Sequence, residues 1–168
     1  RPPVRVRDYA RRRVLRIVPA YWVALTVLAL WPGLAAFWDG PWWRSYAFAQ
    51  IYWHESVLQG IYPAWTLCVE VSFYAALPLL AAAIGRLAGG SARAELAVLA
   101  ALAAGSLAAR ALAPADAVVQ ATLVCHLDWF ACGMALAVVS VATHGREDQV
   151  AALRLVARRP SLAWAGAL

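Results

Sequence analysis

RRRVLRIVPAYWVAL, residues Arg11 to Leu25, packs four arginines into six positions and then carries no further charge. The uncharged run continues from Ile17 to Trp38. A transmembrane helix needs roughly 17–25 mainly apolar residues, so this is one span. Basic residues beside such a run have a plain reading, the cytoplasmic border of the membrane. They also have a sharper one. Arg13 and Arg16 form an R-x-x-R pair at helical spacing, so their side chains converge, and guanidinium forks bind phosphate oxygens bidentately. On charge alone the topological reading is favoured, and the two are compatible.

The rest of the chain has the same character. Of its 168 residues 64% are hydrophobic and 14% charged, with a mean hydropathy of +0.63. Soluble domains carry about 25% charge, so the composition points to a membrane protein. The net charge is +6 and all fifteen basic residues are arginine. Nucleic-acid binding needs a solvated basic face. These arginines lie between apolar blocks, so a lipid bilayer is the expected partner and nucleic acid is not.

Further spans follow near 64–84, 96–115 and 127–143, and a fifth begins near 160–168. The expected fold is all-α, a polytopic transmembrane helix bundle with four to five spans. The chain opens on Arg1 and closes on SLAWAGAL inside an apolar run, so residues 1–168 are expected to be a piece of a longer polytopic protein, all within one membrane domain. No signal peptide is visible. The first sixteen residues hold seven arginines, the 85–95 connection holds Arg86 and Arg93, and 144–160 holds Arg146, Arg154, Arg158 and Arg159. Alternating spans put thirteen of the fifteen on one side, leaving Arg44 and Arg110 opposite. This bias makes the N-terminal side cytoplasmic.

Between the first two spans lies an aromatic connection with Trp38, Trp42, Trp43, Trp53 and Trp65. Such rings favour the headgroup zone, and they also stack on sugars; composition favours the membrane belt. A short interfacial helix is expected within 43–53. In the third span Ala97, Ala101, Gly105 and Ala109 recur every four residues, a stripe that lets another helix approach. Pro78 predicts a kink in the second span. Cys68, Cys125 and Cys132 form no CxxC pair and read as small buried hydrophobes, so neither a disulfide framework nor a metal site is expected.

Glu70 is the one ionisable group in the second span. A carboxylate at membrane depth costs roughly 2.5–3.5 kcal/mol, so it must face protein or water. It is a structural hydrogen-bonding group or a functional one. Thr66, Glu70 and Tyr74 share one helix face by their four-residue spacing. From Trp65, Glu70 lies roughly 7–8 Å below the outer interface. His54-Glu55 lacks the second histidine of HExxH, and His144 precedes Asp148 by four residues. His126 and Asp128, at the outer end of the fourth span, pair with one another or bind water; a structural role is favoured for each histidine and for Asp128.

Three segments together resemble one family. RRRVLRIVPAYW is similar to the arginine-rich entry of the acyltransferase 3 family of integral membrane acyltransferases. AWTLCVEVSFYAALPLL resembles its W-[ST]-L-x-V-E-x-x-F-Y-x-x-x-P-L-L segment, and HLDWFACGMALA its LDxFxxGMxxA helix. The resemblance covers most of residues 8–142. It implies a roughly ten-helix protein of the bacterial inner membrane. It implies transfer of an acyl group, usually acetyl, from cytoplasmic acyl-CoA to a hydroxyl of an extracytoplasmic glycan or lipid-linked sugar, with no tightly bound cofactor. Arg13 and Arg16 match the pair thought to serve donor phosphates, and Glu70 matches the motif carboxylate. Trp65, Thr66, Tyr74 and Asp128 are candidates on the substrate side. The family's candidate catalytic histidine lies on a first helix absent from this chain, so residues 1–168 alone are expected to be inactive. A proton-coupled transporter and a non-catalytic scaffold are the competing expectations.

Overall fold

The computed structural model describes residues 6–34, 37–57 and 59–143. The expected fifth span at 160–168, the arginines from Arg146 onward and His144 lie outside them. All regular structure among the described residues is helical: α1 (Val6–Leu30), α2 (Trp43–Tyr46), α3 (Ala64–Ala88), α4 (Ala92–Leu112), α5 (Ala117–Gln120) and α6 (Leu127–Ala142), with 3₁₀ turns at Gln50–Tyr52 and Leu123–His126. Four segments are long and apolar enough to cross a bilayer: Arg7–Leu30, Ala64–Ala88, Ala92–Leu112 and Leu123–Ala142. The chain is a polytopic helical membrane protein.

The first span is displaced from the run 17–38. Its helix begins at Val6, takes in the arginines, and ends at Leu30. Charge does not stop a helix, and arginine is a good helix former. Pro32 does stop it, because its ring cannot continue the ladder. The helix runs through Pro19, and α3 runs unbroken through Pro78. α3 ends where Gly89 takes the left-handed conformation (φ 57°), and Ser91 then opens α4 by accepting from the Ala94 amide. This hairpin turns the chain within a few residues.

Helix ends therefore fall into two groups. The ends of α1 and α4 and the starts of α3 and α6 share one end with the connections 31–63 and 113–126, the loop end. The start of α1, the α3–α4 turn and the end of α6 form the hairpin end. The main core sits at the loop end. Tyr21, Leu25 and Ala29 of α1 and Ala64, Cys68 and Val69 of α3 close around Phe37, Phe48, Ile51 and Val57 from the connection. Each large apolar side chain taken from water here stabilises the fold by about 1.5–3 kcal/mol.

The aromatic connection is thus a packed cap, and the single helix expected within 43–53 is two short pieces, α2 and a 3₁₀ turn. Trp22 donates its indole N–H to the Tyr46 carbonyl, 2.9 Å, and the Tyr52 hydroxyl meets Ser72 of α3, 2.6 Å. Trp38, Trp42, Trp43 and Trp53 stay exposed on it. Arg44 lies near the Trp43 and Trp53 rings and donates to Glu55, 2.9 Å.

α6 packs along α4 more extensively than any other pair of elements meets, and Phe73 of α3 stacks on Phe130 of α6 at 3.9 Å. The face of α4 turned to α6 carries Leu99 and Ser106. The small-residue stripe is not that face: Ala97, Ala101 and Gly105 are exposed, and a Cβ on Gly105 would meet no atom within 4 Å. Polar Ser106 and Arg110 need partners more than the alanines need neighbours, and α6 supplies them. Cys68 and Cys125 are buried as expected, whereas Cys132 is exposed on α6.

Candidate functional site

Arg13 and Arg16 stand three residues apart on α1, and Glu70 and Tyr74 four apart on α3. The two helices bring these pairs onto one cleft of about 410 Å³, lined also by Ile17, Ala20, Tyr21 and Leu67. Arg13 donates through Nη1 to the Tyr74 hydroxyl, 3.3 Å, and Tyr74 in turn donates to Glu70 Oε1. The guanidinium also lies over the Tyr74 ring, 4.6 Å from its centroid, and 5.6 Å from that of Tyr9. Arginine, tyrosine and glutamate form one directed chain in which the hydroxyl accepts from the cation and donates to the carboxylate.

This geometry changes the expected layout. Arg13 and Arg16 were expected at the inner boundary, with Glu70 roughly 7–8 Å below the outer interface. Tyr74 lies ten residues into α3, about 15 Å along its axis, with about 21 Å of helix beyond it. Arg13 meets it there, level with the middle of α3. Charge at that depth is costly unless it faces protein or water. The cleft and the tyrosine meet that need.

Arg16 is exposed and lines the cleft without a hydrogen bond or ion pair among the described residues. A neighbouring hollow of about 370 Å³ is lined by Tyr9, Arg12, Arg13 and Arg16. The Tyr9 hydroxyl is buried without a partner among the described residues. Three guanidinium groups and an unpaired hydroxyl fit an anionic, oxygen-rich ligand such as a phosphate. Tyr9 was missed from the sequence, although it sits one helical turn before Arg13.

The other candidates lie elsewhere. Thr66 is exposed and turns its hydroxyl back to the Pro63 carbonyl, 2.9 Å, so it does not join Glu70 despite the shared helix face. Asp128 is taken up in the bundle, accepting from Ser106 Oγ and Arg110 Nη2 at 3.1 Å each. Its expected partner His126 instead donates through Nδ1 to the Thr122 carbonyl, 3.1 Å. Trp65 packs on the His126 ring, 5.3 Å between centroids. Ser106 and Arg110, four apart in the otherwise apolar stretch 96–112 of α4, were the signal that a carboxylate would be met there.

His54 donates to Asp116 at 2.7 Å, tying the 31–63 connection to the start of α5. The Asp116 carboxyl is held below its ordinary value of 3.8, first by the Val119 amide and then by His54. Among the described residues no group of three His, Cys, Asp or Glu side chains could hold a metal ion. No model of a known protein family, no curated protein and no solved structure matches the chain.

Proposed function

We propose that this chain forms the donor-binding part of a membrane-embedded acyltransferase of the acyltransferase 3 type. The observation that carries the reading is the Arg13–Tyr74–Glu70 chain beside Arg16 on one cleft. The arginine bias makes the hairpin end cytoplasmic, in a bacterial inner membrane, and the loop end extracytoplasmic. Acyl-CoA enters from the hairpin end. Arg13 and Arg16 hold its phosphates by charge-assisted hydrogen bonds. The acceptor is a hydroxyl of a glycan or lipid-linked sugar.

In the reaction the acceptor oxygen attacks the thioester carbonyl. A C–O bond forms, the C–S bond breaks, and the acceptor proton ends on the coenzyme A sulfur. The family resemblance places the candidate catalytic histidine outside residues 1–168, as base or transient acyl carrier. Glu70 then orients a reacting group or passes the proton along, and Tyr74 couples its position to that of Arg13. The mid-helix depth of the chain supports this reading, since a donor held there reaches an acceptor from the other side.

The test uses the intact gene product in lipid nanodiscs. Arg16→Ala and Tyr74→Phe should each weaken acyl-CoA binding roughly tenfold to a hundredfold, the size of one lost charge-assisted contact. Membrane insertion should be unchanged. Mass spectrometry of surface glycans should show one acyl group lost when the gene is removed. Unchanged glycans together with proton-dependent uptake of a solute would replace the proposal with a transporter. Normal insertion with no acyl-CoA binding would leave a scaffold.

A further inference from the structure

A second cleft, of about 260 Å³, opens at the loop end away from the arginines. The connection contributes Val57 and Tyr62, α5 and its cap contribute Ala117, Gln120 and Ala121, and Trp65 and His126 complete the lining. The His54–Asp116 bond ties the same two segments together.

The lining specifies a ligand class. It includes no Arg, Asp or Glu among the described residues, so neither a phosphate nor a cation meets a fixed counter-charge. Trp65 and Tyr62 line it with aromatic rings, and the negative quadrupole of such a ring attracts the polarised C–H face of a sugar. The Thr122 carbonyl can only accept, so neutral His126 carries its proton on Nδ1 and leaves Nε2 as an acceptor. No described residue hydrogen-bonds to that Nε2. Trp65 and Trp129 hold the ring in place, with centroids at 5.3 and 4.5 Å. The Gln120 amide nitrogen is bonded to the carbonyls of Arg110 and Pro114, which leaves its oxygen as a second acceptor.

We infer that this cleft binds one pyranose ring of a neutral glycan, which stacks on Trp65 and Tyr62 and donates hydroxyl hydrogen bonds to His126 Nε2 and Gln120 Oε1. The volume falls just below the roughly 300–1,000 Å³ of sites for drug-sized ligands, which suits a single ring. The inference deepens the acyl-transfer reading and rests on it for the side of the membrane that the cleft faces.

The experiment measures saturation transfer by NMR from the intact protein in nanodiscs to disaccharides of glucose, galactose, mannose and N-acetylglucosamine. At least one should bind saturably through a single ring. Trp65→Ala and His126→Leu should each weaken that binding roughly threefold to tenfold, the size of one aromatic or polar contact. Tyr62 is 64% exposed, so Tyr62→Ala gives the same readout with little risk to folding. Acyl-CoA binding is measured on the same samples. Sugar binding without acyl-CoA binding removes the acyl-transfer reading and keeps the cleft. Absence of saturable sugar binding, or binding unchanged in Tyr62→Ala and His126→Leu, overturns the cleft whatever acyl-CoA does.

Discussion

Asp128 accepts from both Ser106 and Arg110, and its side chain is only 12% exposed. Arg110 also donates to the Cys125 carbonyl, 3.1 Å, so one guanidinium ties α4 both to α6 and to the turn before it. A buried polar group left without its partner loses more than the bond was worth. Asp128→Ala should therefore lower stability by about 1–3 kcal/mol, read from unfolding in detergent. Replacing both Arg110 and Asp128 by leucine should lose less than Asp128→Ala alone, because no unpaired charge remains. A larger loss in the double variant would mean that the pair's own attraction outweighs its desolvation.

Elements here are ended by backbone conformation more than by hydrophobicity. Gly60 and Gly89 both have positive φ, 75° and 57°. A Cβ on Gly89 would meet nothing within 4 Å, so Gly89→Ala carries only the backbone cost of about 1–2 kcal/mol. A Cβ on Gly60 would lie 3.2 Å from Ser45 Oγ and 3.5 Å from Leu25 Cδ1. Gly60→Ala adds crowding in the cap core to the same strain, about 2–4 kcal/mol in all. The order of the two midpoints in thermal unfolding checks this; equal shifts would mean that Ser45 and Leu25 give way freely.

At the scale of the whole molecule, the two connections at the loop end act as one unit. The His54–Asp116 bond joins them, and Asp116 Oδ1 accepts from the amides of Val118 and Val119 at 2.9 and 3.0 Å. Those bonds favour the ionised carboxylate and hold its folded value below 3.8. The unfolded chain takes up the proton first as pH falls. The stabilising contribution is therefore complete above 3.8 and is lost as pH drops from there through the lower folded value. Protection of the Val118 and Val119 amides, taken relative to the intrinsic exchange rate at each pH, should fall in that acid window, and Asp116→Ala should show the low protection at neutral pH. Protection indifferent to both changes would place the tie elsewhere.

The helical membrane class, four of the spans and the one carboxylate that could not be left facing lipid, Glu70, were legible in the sequence alone. Long apolar runs permit little else, and each charge within them stands out. Boundaries were less legible. Arg11 to Arg16 continue the first helix because arginine favours it, while Pro32 ends it eight residues before the uncharged run does. Which polar groups meet was settled by packing. Helical period gives the face a residue occupies but not the neighbour opposite, so Thr66 shares a face with Glu70 and yet bonds to Pro63, and the alanine stripe of α4 lies away from α6. The level at which two antiparallel helices face each other is set by the packed connection between them. That is why Arg13 meets Tyr74 at the middle of α3, a meeting that spacing along either helix alone could not fix.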